Sequence, residues 1–504
     1  MRAVVVVACA LVGCSKSADA PDAAVTAGPD VTTTTAATTA TSAVPDAAAT
    51  PRHLLGRLTL PQGIPLKLLV TATSPTAATL DIPLQGLTAG ALTDVAIGDD
   101  EVRFTFAPPG APATAANRFT ARRVAGAAPA RWEGEVAAAG VTMPLVLTEV
   151  AGPEALVGAR PQTPRPPFPY ATEDVRIAVA GAELGCTLSL PTPKAPLTAV
   201  LFLTGSGVQD RDETIFEHKP FLVLADALAR AGIASLRCDD RGAGQSSGDP
   251  QAADATVFIA DAEAALAWLR GRIEIDADRI GLLGHSEGGM TAAAVARKAD
   301  NRVAFVVSLA GPGLTGREVL VRQNRDLLIQ QGVKPDARDA VERAVDAYFL
   351  SVEQQRPEAD VQAAAKALAE LVHASLQETA GPQESVELMT ANFAALAKMT
   401  WLRGFLAARP AEDLAAARAD VLALFGGKDT QVHAADNAAA LEAAAKATGK
   451  TNVTIEILDG RNHLFQEAAT GALAEYDEIE QTMDPRVVER IVSWIGARGG
   501  AAGP

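Results

Sequence analysis

Basic residues are outnumbered in this 504-residue sequence, which has 44 lysines and arginines against 60 aspartates and glutamates and a formal net charge of −16. No local cluster of basic residues offsets that charge, and a negative chain repels phosphate backbones, so nucleic acid is excluded as an expected partner. The sequence also lacks a metal-ligand cluster, a cofactor fingerprint and a Cys-x-x-Cys pair. We therefore expect no cofactor and no bound metal.

The apolar run at the N-terminus is too short to span a bilayer. One arginine, this run and a small residue before Cys14 are typical of a signal peptide over residues 1–13. The segment LVGC, which ends at Cys14, resembles the lipobox of bacterial lipoproteins. That resemblance implies cleavage before Cys14, acylation of its thiol and new amine, and a lipid anchor in the bacterial cell envelope. Ser15 after the cysteine implies the outer membrane. The alternative is an ordinary signal peptide that happens to contain a cysteine.

Changes in composition divide the chain that follows. Residues 14–50 contain mainly Ala, Thr, Ser, Pro and Asp and no aromatic residue, which predicts a disordered tether. Residues 51–150 carry short alternating apolar runs between Gly, Pro and Asp turns, which predict a small antiparallel β domain. Residues 151–170 are rich in proline and predict an extended linker.

Residues 171–498 alternate apolar strands with helical stretches. With 48% hydrophobic residues in the whole chain, a large core can be buried. Near-continuous apolar strands followed by helices predict an α/β fold, with a doubly wound, mainly parallel sheet between helical layers. In such a sheet the chemistry gathers where the strands end.

The segment RIGLLGHSEGGM, residues 279–290, contains a lone serine in a G-x-S-x-G pattern between a predicted strand and a predicted helix. This context is typical of a nucleophile elbow. Gly284 and Gly288 let the backbones pass closely, and Ser286 stands at the tip of the turn, where the helix begins. The alternative is an ordinary strand-to-helix turn.

A neutral serine needs a histidine to take its proton and a carboxylate to orient that histidine. Of the six histidines in the sequence, His463 follows the last predicted strand and is favoured over His433. Asp429 is favoured as the acid, because the order Ser286, Asp429, His463 is expected for this architecture. Asp459 is the competing acid and is interpreted as a turn residue.

These motifs occur in order with LTGSGVQDRDE, RCDDRGAGQSSGD, SLAGPG, GGKDTQV and GRNH. Together they resemble the α/β-hydrolase serine esterases of bacteria, in the carboxylesterase and acylaminoacyl-peptidase-like branch. The β domain before them resembles the small N-terminal domain that some of these esterases carry. One departure is Cys238, where relatives usually have an aromatic residue.

The resemblance implies an oxyanion hole made by the backbone N–H groups of Glu287 and of Ser206 or its neighbour Gly207. A phosphate-binding loop is the rival interpretation of these glycines, but the lysine of a P-loop is missing. The resemblance also implies a helical cap over about residues 312–415 that closes the site and sets the size of the acyl group. Trp401 and Phe405 are candidate pocket walls, or alternatively pack the cap onto the body.

The leading prediction is a serine hydrolase that cleaves small-molecule carboxylic esters of short to medium acyl chain through an acyl-enzyme. An exopeptidase or amidase acting on small acylated peptides is the first alternative. A non-catalytic binding protein on the same fold is the second, and it is disfavoured because all three triad residue types are present. The membrane, reached through lipidated Cys14, is the other expected partner, and the oligomeric state is left open.

Two cysteines remain after removal of the signal peptide and lipidation of Cys14, namely Cys186 and Cys238. They fall on predicted strands that are neighbours in the inferred sheet, and an exported protein meets oxidising conditions, so a disulfide is possible. A register slip of one residue would instead turn one side chain to the other face and leave two free buried thiols. The sequence leaves both outcomes open.

Overall fold

The computed structural model describes residues 50–499 except for 60–64, 84–86, 109–115, 139–140, 157, 159, 193–195, 251–252, 331 and 377–384. The predicted signal peptide, Cys14 and nearly all of the predicted tether lie outside the described residues. Two compact units make up the described chain: the first comprises residues 50–58 and 67–156, and the second comprises the described residues after 156 together with Thr59, Pro65 and Leu66. Within the described ranges no helix is long and apolar enough to cross a membrane.

The first unit is an antiparallel sheet whose described part has nine strands in the order β4-β3-β2-β1-β9-β8-β7-β6-β5. The strands are β1 Arg52–Thr59, β2 Pro65–Ser74, β3 Ala77–Ile82, β4 Leu87–Ala91, β5 Thr93–Ile97, β6 Glu101–Phe106, β7 Asn117–Arg123, β8 Arg131–Ala138 and β9 Val141–Val150. Burial alternates along β6, as period-two strands require. Its Phe104 stacks on the directly paired Phe119, with ring centroids 4.5 Å apart. The antiparallel sheet that the alternating N-terminal pattern predicts is present in the described residues.

The second unit is built on a mixed sheet. Its described strands lie in the order β10-β11-β13-β12-β14-β15-β16-β17. They are β10 Ala171–Val179, β11 Ala182–Leu190, β12 Leu197–Leu203, β13 Ala234–Cys238, β14 Ile275–His285, β15 Phe305–Leu309, β16 Asp420–Gly426 and β17 Val453–Leu458. In this described sheet the β10–β11 and β11–β13 pairs are antiparallel and the other five neighbouring pairs are parallel. Every residue of β15 is buried, because helices cover both faces of the sheet.

The helices of the second unit follow the strands. They are α1 Pro220–Arg230, α2 Ala255–Arg270, α3 Glu287–Arg297, α4 Gly316–Gln330, α5 Arg338–Glu353, α6 Glu358–Ser375, α7 Val386–Leu396, α8 Thr400–Ala407, α9 Pro410–Ala416, α10 Ala434–Thr448, α11 Leu473–Tyr476 and α12 Pro485–Gly499. Helices α2, α3 and α10 share one apolar core with the sheet, and α1 and α12 share another. The sheet is therefore covered by helices on both faces.

Helices α4 to α8, which we call the cap, lie between β15 and β16 in the chain and supply most of a third apolar core, to which Met290 of α3 also contributes. Buried aromatic side chains in this core include Tyr348, Phe349 and Phe393. The next helix, α9, packs on α3 and α10 and belongs to the core of the sheet. The cap proper therefore ends with α8, before the expected boundary near residue 415.

Residues 160–170, expected to be part of a linker, are bound to the second unit. The guanidinium of Arg160 donates to the carbonyl oxygens of Phe216 and Asp477. The side-chain oxygen Oε1 of Gln162 accepts the backbone amides of Thr482 and Met483, at 2.6 and 3.1 Å. These bonds make the segment an integral part of the second unit.

Candidate active site

Ser286 occupies a sharp turn between β14, which ends at His285, and α3, which begins at Glu287. Its φ of 52° and ψ of −121° are disfavoured for a residue with a side chain, so the surrounding structure has to enforce them. A Cβ at Gly284 would lie 2.1 Å from the Gly288 carbonyl oxygen, and a Cβ at Gly288 would lie 2.1 Å from that of Leu203. Only glycine fits at either position, because the backbones pass too closely for a side chain, as the sequence pattern predicts.

Asp429 and His463 are brought together by the loops that follow β16 and β17. Nδ1 of His463 donates to Oδ2 of Asp429 at 2.7 Å. The other carboxylate oxygen of Asp429 accepts the amides of Gln431 and Val432, both at 2.8 Å. Since both oxygens are fixed, the carboxylate holds the imidazole in one orientation and leaves Nε2 to act as a base.

The competing histidine and acid are placed elsewhere. Nε2 of His433 lies 3.0 Å from Oδ2 of Asp326, on α4 of the cap. This hydrogen bond raises the pKa of His433. The backbone carbonyl of Asp459 accepts a hydrogen bond from Arg461, consistent with its interpretation as a turn residue.

Ser286 and His463 line the same small cavity, together with Ser206, Gln431 and Tyr476. The cavity therefore joins a hydroxyl at a helix N-terminus, an imidazole oriented by a carboxylate, and a residue of the loop after β12. This set of groups can carry out nucleophilic attack on a carbonyl carbon.

The loop after β12, residues 204–209, is held by two carboxyl groups. The amide of Gly205 donates to Oε1 of Glu213 at 2.7 Å. Asp240 accepts the Thr204 hydroxyl at 2.8 Å and the Gln209 amide at 2.9 Å, one at each oxygen. The 204–209 loop is thus fixed at its start and at its end. Asp240, which lies in the segment RCDDRGAGQSSGD, therefore supports the loop.

Burial raises the pKa of Asp240 to about 8, although its bonds from Gln209 and Thr204 act in the opposite direction. Burial also raises the pKa of Glu287, the residue after the elbow serine. The wall of the site next to the 204–209 loop therefore contains two carboxyl groups that resist ionisation.

Glu213 and His285 form a buried pair that the sequence did not reveal. Nδ1 of His285 lies 2.9 Å from Oε1 of Glu213, and its Nε2 donates to the backbone carbonyl of His463 at 3.0 Å. Burial lowers the pKa of His285, but the charge and hydrogen bond of Glu213 outweigh it, and the net shift is upward. The two residues are 72 positions apart, and only the path of the loop after β12 brings them together.

A larger cavity of about 320 Å³ adjoins the 204–209 loop and the start of α3. Its walls include Leu203, Phe258, Met399 and Trp401, and Glu287 is among its polar lining residues. Phe405, the second candidate wall, instead packs in the core of the cap, where it is 2% exposed. Within the described ranges no group of three or more His, Cys, Asp and Glu side chains could hold a metal ion.

The fold and this site define a hydrolase with an α/β sheet. The family described as X-Pro dipeptidyl-peptidase (S15 family) matches residues 180–460, more than half of the chain, so the chain belongs to that family. The match spans the 204–209 loop and the elbow, but it ends three residues before His463.

Among curated proteins, Esterase EstD of Thermotoga maritima is 27% identical over 331 residues, which cover 65% of this chain and 68% of that protein. Among solved structures, an esterase of Pyrococcus furiosus covers 68% of this chain and 97% of its own at 15% identity and a TM-score of 0.39. Est1E of Butyrivibrio proteoclasticus, bound to ferulic acid, covers 64% of this chain and 98% of its own at 13% identity and a TM-score of 0.36.

Proposed function

We propose that the protein is a serine esterase that cleaves carboxylic esters of short to medium acyl chain. The observation that carries the proposal is the placement of Ser286 in a strained turn on the cavity that His463 lines, with His463 Nδ1 2.7 Å from Asp429. Family membership and the similarity to Esterase EstD support hydrolysis as the reaction class.

In the proposed mechanism Oγ of Ser286 attacks the ester carbonyl while Nε2 of His463 takes its proton. Asp429 stabilises the imidazolium that forms. The amides of Glu287 and of Ser206 or Gly207 stabilise the oxyanion, helped by the N-terminus of α3. His463 then gives its proton to the leaving alcohol, and water releases the acyl group by the same steps.

The two cavities suggest which half of the ester goes where. His463 has to protonate the leaving group, so the alcohol belongs in the small cavity that this residue lines together with Ile215 and Leu473. The acyl chain then extends into the larger cavity beside Glu287 and Trp401. A volume of about 320 Å³ fits a small-molecule substrate.

A second candidate is an exopeptidase or amidase activity, which the family match favours. The same nucleophile, base and oxyanion donors serve amide and ester cleavage, so the geometry of the site suits both. The larger cavity would in that case hold the acyl side of the scissile amide.

The test compares p-nitrophenyl esters from acetyl to decanoyl with Ala-Pro-p-nitroanilide and acetyl-alanyl-p-nitroanilide. We expect ester turnover to exceed anilide turnover, and Ser286→Ala to lower kcat by several orders of magnitude with unchanged circular dichroism. His433→Ala is the matched control and should keep near-normal turnover. Preferred cleavage of Ala-Pro-p-nitroanilide would establish the peptidase instead, and an active Ser286→Ala would overturn the elbow assignment.

We also propose that the mature chain begins at Cys14 and is anchored by lipid in the bacterial envelope. The proposal is supported by the apolar run, the small residue before Cys14 and the composition of residues 15–50.

A further inference from the structure

Trp401 of the cap is hydrogen-bonded to the residue that follows the proposed nucleophile. Its Nε1 donates to Oε1 of Glu287 at 2.7 Å, across 114 positions of sequence. The indole ring also packs against Phe405, with centroids 5.1 Å apart, and Phe405 is buried in the core of the cap. The indole N–H is therefore fixed by the cap and directed at the start of α3.

Glu287 has two different roles in the proposed site. Its amide is an oxyanion donor, while its carboxyl lies between Trp401 of the cap and Ser206 of the 204–209 loop. Burial raises the pKa of the carboxyl, and both Trp401 and the Ser206 hydroxyl act to lower it. The side chain of Glu287 thus contacts both other parts of the site.

The bond from Trp401 is hard to replace. Within the described residues, Oε2 of Glu287 and Oγ of Ser206 are buried without a hydrogen bond of good geometry. Loss of the indole N–H would leave Oε1 without its donor as well. A buried carboxyl that loses its one well-formed side-chain hydrogen bond is destabilised, so it would move towards water and shift the backbone of Glu287 with it.

We propose that Trp401 is a positioning residue for the oxyanion hole, acting through the carboxyl of Glu287. This inference rests on the proposed function. Because Trp401 also lines the larger cavity, the same side chain forms a wall of the acyl site and holds an oxyanion donor in place. The seated cap is then required for catalysis as well as for substrate binding.

The first test is Trp401→Phe, which keeps an aromatic wall and removes the N–H. We expect kcat to fall about ten- to a hundredfold for acetyl and octanoyl esters alike, with KM changed less than about threefold, since a lost transition-state contact lowers kcat. The matched control is Tyr348→Phe, which removes another 2.7 Å hydrogen bond of the cap, from Tyr348 Oη to the Phe393 carbonyl, and keeps its ring. It should leave kcat unchanged.

The second test is a double-mutant cycle with Glu287. Glu287→Gln keeps an acceptor for the indole and should lower kcat less than Glu287→Ala, which should resemble Trp401→Phe. The double variant Trp401→Phe/Glu287→Ala should be no slower than Glu287→Ala alone, because both changes break one interaction. If Trp401→Phe folds poorly, the comparison of Glu287→Ala with Glu287→Gln still tests the bond, because only the Gln variant keeps an acceptor for the indole.

Unchanged kcat in Trp401→Phe, a rise in KM alone, or additive effects in the cycle would overturn the inference and leave Trp401 as a wall only. These outcomes are separate from failure of the proposed function, which would appear as a wild-type protein without Ser286-dependent ester hydrolysis.

Discussion

The imidazole of His285 lies 2.9 Å from the carboxylate of Glu213, and the carboxylate oxygen that it contacts also accepts the amide of Gly205. The other ring nitrogen of His285 binds the backbone of His463. One buried pair therefore connects the elbow, the 204–209 loop and the loop of the proposed base. Such a pair adds little net stability but can fix a geometry.

Glu213→Gln should lower kcat for esters about ten- to a hundredfold with little change in KM, because it replaces the carboxyl oxygen that contacts His285 and accepts the Gly205 amide. Steady-state kinetics checks this result. The matched control is Glu217→Gln, at a nearby glutamate that pairs with Arg160, which should keep wild-type kcat. Equal kinetics for both variants would show that the pair has no part in turnover.

The stability of the protein should depend on His218. Burial, with help from the charge of Arg160, lowers the pKa of this histidine from its ordinary 6.5 to about 4. The unfolded chain takes up a proton below pH 6.5 and the folded chain only near pH 4. The contribution of His218 to the free energy of unfolding is therefore full above pH 6.5 and falls by about 3 kcal/mol as the pH drops to 4.

Urea denaturation of the wild type and His218→Gln at pH 7, 5.5 and 4 tests this dependence. The wild type should lose more stability than the variant across the series, since contributions from other groups cancel in the comparison. Parallel losses in both proteins would exclude His218 as the source.

Cys186 and Cys238 are directly paired on neighbouring strands and joined by a disulfide. The bond closes a loop with a sequence separation of 52 residues. Replacing both by alanine should lower the free energy of unfolding by about 2–4 kcal/mol, chiefly because the unfolded chain gains freedom. Mass spectrometry after alkylation of the unreduced, denatured protein should find both residues unmodified. Alkylation at both positions would show that the purified protein holds free thiols.

Lipidation at Cys14 predicts incorporation of an alkynyl palmitate analogue during expression in a bacterial host. The wild type and the control Cys9→Ser should both carry the label, because Cys9 lies within the apolar run and is removed with it. Cys14→Ser should carry none. Equal labelling of all three proteins would show that the lipid is attached at a residue other than Cys14.

The order of strands and helices could be predicted from sequence because each buried strand is a local apolar run bounded by breakers. The elbow could also be predicted from sequence, because the residues that force the turn at Ser286 lie within one pentapeptide. The pairing of Cys186 with Cys238 could not be predicted, because a shift of one residue in register turns a side chain to the opposite face of the sheet. Only the observed register of β11 against β13 decides it.

The contacts that support the site could not be predicted from local sequence patterns. Glu213 and Trp401 reach the elbow from positions 72 and 114 residues away from their partners, and nothing in their neighbouring sequence marks them. The boundary of the cap depended in the same way on tertiary packing. Helix α9 has helical periodicity like the cap helices, and its contacts alone assign it to the body.

The binding of residues 160–170 to the second unit limits where the chain can be shortened. A variant that starts at residue 171 would leave the Phe216 and Asp477 carbonyls and the Thr482 and Met483 amides without the donors and acceptors that Arg160 and Gln162 supply. It would also lose the bond from Tyr170 to Asp226, at the helix α1. A protease site inserted to release the catalytic unit therefore belongs before Arg160, where cutting preserves these bonds.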